Sequence, residues 1–259
     1  MSIRPIRQSV RPSPVFLAIV AIAAAGGAVA WQAGFEPTPL AYVGVFTFVI
    51  FGWLVSLCLH EFGHAYTAWR YGDRAVEARG YLTLNPLKYS HPLLSLGLPI
   101  LFIALGGIGL PGGAVYVRTE GMTKQQKSRV SLAGPSANIA LAVVLLVATR
   151  LLFHAEHAVF WAGVAFLAFL QITAAILNLL PVPGLDGYSA LEPHLSRDTQ
   201  LKLAPVKQWG FFILLFVLFI PLFNQWFFSG VLWSFDLSGV SRGLVGLGLS
   251  LTQFWSAWR

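Results

Sequence analysis

The sequence predicts an all-α polytopic membrane protein with about five or six transmembrane helices and a re-entrant segment near its functional centre. Three observations lead there. The chain of 259 residues is 56% hydrophobic and 10% charged, with a mean hydropathy of +0.70, which excludes a soluble globular domain and fits helices solvated by lipid. Apolar runs of spanning length recur along it. Of the 17 Lys and Arg residues, all but Arg150, Arg242 and Arg259 fall in intervals that alternate crossing assigns to the cytoplasmic side. The net charge of +7 therefore reads as a topology signal rather than a basic patch for nucleic acid. Polar intervals near 70–92, 113–129 and 184–208 are too short for a separate water-soluble domain. Residues 1–259 read as one membrane-embedded domain, with a core at about 40–191 and a C-terminal helix and tail at 209–259.

Residues 1–14 carry Arg4, Arg7 and Arg11 without an acid, ahead of the apolar run Val15 to Trp31. Two readings stay open for this run. Ala28-Val29-Ala30 resembles a signal-peptide cleavage site, whereas the length of the run favours a retained first helix with a cytoplasmic N-terminus. The next helix, about 40–69, runs inward, and a cytoplasmic loop follows with Arg70, Arg74, Arg79 and Lys88. Leu93 to Gly113 is apolar but broken by glycine and proline. Crossing there would export the basic interval 114–129, so a re-entrant segment is expected, buried in protein or lining a wet cavity. Val130 to Phe153, opened by Gly134-Pro135, reads as a span that is polar only at Asn138 and scattered Ser and Thr. A link with His154 and His157 reads as a solvated outer turn, and Ala158 to Leu180 returns inward. Trp209 to Phe228 is a further span kinked at Pro221. The tail from Gly230 to Arg259 reads equally as spanning, interfacial or re-entrant.

Chemistry concentrates in His60-Glu61-Phe62-Gly63-His64, inside the apolar stretch from Leu40 to Trp69. On a helix the histidines project from one face a turn apart. Glu61 is turned about 100° from His60, within reach of a metal-bound water without being a ligand. This H-E-x-x-H pattern is the helical signature of zinc peptidases, with neutral imidazoles as ligands and the glutamate as general base. An acid at membrane depth costs roughly 2.5–3.5 kcal/mol on insertion scales and marks a site facing protein or water. The alternative is two structural histidines satisfied by backbone carbonyls beside a snorkelling glutamate. Cys58, the single cysteine, is turned about 200° from His60 and reads as a small core residue.

A catalytic zinc needs three protein ligands and one open position. Asp186 is the candidate third, in Asn178-Leu179-Leu180-Pro181-Val182-Pro183-Gly184-Leu185-Asp186-Gly187, where a spanning helix stops on the same side as the histidines.

With both motifs in view, the chain resembles the site-2 protease family of intramembrane zinc metalloproteases over about Leu54 to Leu191. Its third-ligand pattern, N-x-x-P-x-P-x-x-D-G, matches Asn178 to Gly187 without a gap. Gly80 to Leu87 with His91, and Ala133-Gly134-Pro135-Ser136-Ala137-Asn138, look like stretches common in bacterial and archaeal members. Gly112-Gly113-Ala114-Val115 departs from a Trp-Ala-Lys-Pro-Val-like segment of many relatives, and no PDZ-sized insertion is present. The resemblance implies that His60, His64 and Asp186 bind one zinc per chain and that Glu61 is the base. It also implies that Asn178 positions substrate or stabilises the oxyanion. The implied substrates are membrane-protein helices in a multi-pass protein of the cell membrane, with the site toward the cytoplasm. The rivals are a metal transporter, which needs successive polar sites across the bilayer, and an inactive relative that only binds membrane partners.

Overall fold

The computed structural model describes residues 10–89, 97, 103, 115–253 and 255. Helix α1 (Pro14–Gln32) starts where the Ser13 hydroxyl accepts the Phe16 N–H at 3.1 Å, with Pro14 in the first turn. Helix α2 (Pro39–Arg70) starts the same way, with Thr38 accepting from Ala41 at 3.2 Å ahead of Pro39. Proline is tolerated at that position because its missing N–H would have no helical partner. The two helices pack through small residues. A Cβ on Gly26 would lie 2.6 Å from the Phe48 nitrogen, and one on Gly44 would lie 2.8 Å from the Ala30 nitrogen. Close backbone approach of this kind is how spanning helices gain van der Waals contact when lipid removes the hydrophobic drive.

After α2 the chain makes the short α3 (Ala75–Ala78) and 3-10 turns at Tyr81–Thr83 and Pro86–Lys88. The expected re-entrant segment, Leu93 to Gly113, lies outside the described residues apart from Gly97 and Ile103, as does His91. Residues 115–119 are non-helical and lie against the α2 end of the bundle. The Asp73 carboxylate accepts the Arg118 N–H at 2.7 Å, and Arg79 donates to the Tyr116 carbonyl at 2.9 Å.

Helix α4 (Lys124–Leu152) begins six residues before the expected Val130, at a capping box in which Thr123 and Gln126 satisfy each other's backbone N–H groups. Its first turns are polar, so hydropathy does not register them as helix. Pro135 lies inside this helix rather than opening it, which leaves the Ser131 carbonyl without its usual donor.

Helix α5 (Ala158–Leu179) is the centre of the bundle. Its most apolar window is 83% buried, against 33% for α1 and for α4, so protein rather than lipid surrounds it. One core joins α1, α2 and α5 through Ala30, Val45, Val49, Trp53 and Phe166, and a second joins α4 and α5 to the C-terminal helices through Leu146, Ala165, Leu214 and Phe227.

Helices α6 (Asp186–Leu191) and α7 (Arg197–Leu203) are short. The span expected at Trp209 to Phe228 is divided into α8 (Gly210–Leu218) and α9 (Pro221–Asp236), with the break just before Pro221. The tail forms α10 (Arg242–Thr252), about 16 Å long and too short to cross alone. It packs on the first core through Leu251. Among the described residues, four helices are long and apolar enough to span a membrane: α1, α2, α4, and α5 with its preceding turn. The bent pair Arg197–Trp209 and Phe212–Leu218 makes a fifth if counted as one span. The described residues are those of an all-α polytopic membrane protein with no strand.

The two short links meet at one end of the bundle. Val159 donates its N–H to the Gly34 carbonyl at 3.1 Å, and His157 Nδ1–H donates to the Trp31 carbonyl at 3.0 Å. Asp186 follows the opposite end of α5, about 33 Å away along that helix.

Candidate metal centre

His60 and His64 lie one turn apart on α2 and are both buried. Each ring is held by its Nδ1. His60 Nδ1–H donates to the Asn138 side-chain oxygen at 2.6 Å, and His64 Nδ1–H donates to the Val130 carbonyl at 2.8 Å, both on α4. With the protons committed there, the two Nε2 atoms carry lone pairs. They face each other at 3.1 Å.

Asp186 meets them from another direction. The chain leaves α5 at Leu180, turns through the two prolines and Gly184, and opens α6 with Asp186. Gly184 has φ +101°, in the left-handed region where a side chain is strained. Gly187 lets α6 seat on the end of α5, since a Cβ there would lie 2.2 Å from the Leu179 carbonyl oxygen. The result places Asp186 Oδ2 at 3.2 Å from His60 Nε2 and 3.4 Å from His64 Nε2. As a ligand Asp186 would serve as the carboxylate, whose oxygens only accept.

Three acceptors thus converge with no donor between them, and Asp186 Oδ2 is buried without a hydrogen-bond partner. Bonds of about 2.0–2.1 Å in a tetrahedron imply ligand separations of about 3.3 Å. The observed 3.1, 3.2 and 3.4 Å fit that, so the donor set suits zinc. Among the described residues this is the one group of three or more His, Cys, Asp or Glu side chains placed to hold a metal.

The group opens on a cavity of about 710 Å³ that is also lined by Glu61, Asn178, residues 115–117 and Lys207. Glu61 is buried, and its Oε2 accepts the Val115 N–H at 2.9 Å. This leaves its second oxygen for another partner. Asn178, near the end of α5, is buried along the same wall. The sequence-derived residues His60, Glu61, His64, Asn178 and Asp186 therefore share one cavity. His154 and His157 lie at the other end of the bundle, where the His157 ring stacks on Trp31 at 3.6 Å between centroids.

Two contacts went unassigned in the sequence. Gly134 presses on the histidine pair so closely that a Cβ would lie 2.2 Å from His64 Nε2 and 2.6 Å from His60 Nε2. Asn138 is the partner of His60. The signals were a glycine beside a proline within a helix, and an amide in an otherwise apolar span.

Comparison with known proteins agrees with this geometry. Residues 48–156 match the model of peptidase family M50, a range that holds the histidine pair and ends before Asp186. Rip2 of Mycolicibacterium smegmatis, named as a zinc metalloprotease, is 67% identical over 258 residues, covering the whole of both chains. Rip2 of Mycobacterium tuberculosis, named likewise, is 65% identical over 252 residues, 97% of each chain. YwhC of Bacillus subtilis, also named as a zinc metalloprotease, is 32% identical over 178 residues, 65% of this chain and 78% of the relative. No solved structure matches. The chain belongs to peptidase family M50, the site-2 protease family that its two motifs resemble.

Proposed function

We propose that this chain hydrolyses peptide bonds within or near transmembrane segments of membrane-protein substrates, from an active site toward the cytoplasmic side. His60, His64 and Asp186 hold one zinc per chain, Glu61 moves the proton, and Asn178 assists at the oxyanion. The observation that carries the reading is the meeting of three buried acceptor atoms, from two motifs far apart in sequence, at separations that suit one metal.

Zinc, when bound, supplies Lewis acidity that lowers the pKa of water toward about 7 and polarises a peptide carbonyl. Glu61, held at one oxygen by the Val115 N–H, takes the proton of the attacking water with its free oxygen and returns it to the leaving amine. The Asn178 amide donates a hydrogen bond to the oxygen on which negative charge develops. The apolar walls of the bundle limit water to the cavity, where each of these interactions is strengthened. A substrate helix has to unwind locally to present its scissile carbonyl, because intrahelical hydrogen bonds shield it. Helix-breaking residues in a substrate therefore favour cleavage.

Glu61→Gln in proteoliposomes with a single-span substrate tests the assignment. Cleavage is expected to vanish while zinc stays at the parental level, and retained turnover would remove Glu61 from the mechanism. For orientation, Gln125→Cys in a Cys58→Ser background is expected to react with an impermeant reagent from the cytoplasmic face. Labelling from the outer face would overturn the sidedness.

A further inference from the structure

Ser56 on α2, Asn138 on α4 and Gln171 on α5 are all buried, with Gln171 at 0% exposure, in the middle of three spanning helices. Polar side chains at that depth must satisfy one another, because lipid offers no partners. Here they form one network that ends on a candidate ligand. Asn138 Nδ2 donates to Gln171 Oε1 at 2.7 Å and to Ser56 Oγ at 3.2 Å, and the Ser56 hydroxyl donates to the same Gln171 oxygen. The other end of the Asn138 amide, its oxygen, faces His60 Nδ1 at 2.6 Å.

The network has a direction. Gln171 turns its Oε1 to Asn138 and Ser56 while its own Nε2 is buried without a hydrogen-bond partner, and an oxygen at that point only accepts, so it draws the NH₂ of Asn138 toward itself and leaves the oxygen for His60. An amide turned the other way would present NH₂ to Nδ1 and make that atom an acceptor. The imidazole proton would then sit on Nε2, where it blocks a metal. His64 needs no such device, because its Nδ1 partner is a backbone carbonyl, which cannot donate.

We infer that Asn138, oriented by Gln171 and Ser56, is a positioning residue that holds His60 in its Nδ1–H tautomer and aims Nε2 at the metal. This rests on the reading of His60 as a ligand. Through it, the packing of three helices is tied to the state of one imidazole.

The test is zinc affinity of the purified full-length protein by chelator competition. Asn138→Leu, which keeps the side-chain size and removes the acceptor, is expected to weaken zinc by roughly 10–100-fold. Asn138→Asp is expected to bind at least as tightly as the parent, since a carboxylate accepts from Nδ1 in either orientation. Gln171→Met is expected to weaken zinc in the parent and to have no effect in the Asn138→Asp background. A purely structural role for Gln171 would weaken both. The inference falls if Asn138→Leu binds like the parent, or if Gln171→Met acts equally in both backgrounds. Should Asn138→Leu fail to fold, the Asp and Met pair decides alone. His60→Ala separates the two levels: undiminished zinc there would overturn the ligand reading itself. Zinc lost in His60→Ala but kept in Asn138→Leu would overturn only the positioning role.

Discussion

The chain carries two close histidine pairs, His60 with His64 and His154 with His157, and they differ in every physical respect that matters to a metal. The first lies four residues apart on a continuous helix, is buried, and has both Nδ1 protons engaged so that two lone pairs face one point. The second lies three apart across a 3-10 turn, with His154 exposed and His157 half-buried, and has His157 engaged by the Trp31 carbonyl and ring. Asp186 belongs to the first pair alone. Spacing offers imidazoles, but the outer hydrogen bonds and the incoming carboxylate turn them into a binding set.

That contrast is open to attack in order of expected effect. Asn178→Ala is expected to lower turnover roughly 10²–10³-fold with zinc intact, the usual loss for a missing oxyanion donor. Steady-state cleavage beside metal analysis checks it, and lost zinc would recast Asn178 as structural. Gly134→Ala is expected to lower zinc affinity by roughly tenfold or more. Its Cβ would meet His64 Nε2 at 2.2 Å, and neither ring can retreat without breaking its Nδ1 bond. Chelator competition reads the effect, and parental affinity would show that the helices part without cost. At the opposite end of the bundle, His157→Ala is expected to lose the ring stack on Trp31 and the hydrogen bond to its carbonyl, about 1–2 kcal/mol of stability together, with zinc content unchanged. A shift of thermal midpoint reports it, and any loss of zinc would tie the second pair to the metal.

Much of this was legible in the sequence for identifiable reasons. A helix fixes the angle between residues four apart, so His60 and His64 were readable as one face. The proline and glycine run before Asp186 marks the end of a spanning helix, and the structure adds why Gly187 follows, namely the Leu179 carbonyl beneath it. The start of α4 was hidden because Lys124 to Arg129 are polar, and a capping box rather than hydropathy makes them helical. The inward contact of Gly134 was hidden too, since a glycine has no side chain whose chemistry could betray which neighbour it touches. The break before Pro221 is legible as a kink, but not as a division into two separate helices, α8 and α9, because a proline kinks some helices and breaks others.

The most direct test of the central claim is zinc per chain, measured by mass spectrometry on purified parent, His64→Ala, Asp186→Ala and the His154→Ala/His157→Ala double variant. The account predicts about one zinc in the parent and in the His154→Ala/His157→Ala variant, and loss or sharp weakening in His64→Ala and Asp186→Ala. Zinc that survives Asp186→Ala undiminished, or that disappears with His154 and His157, would contradict it.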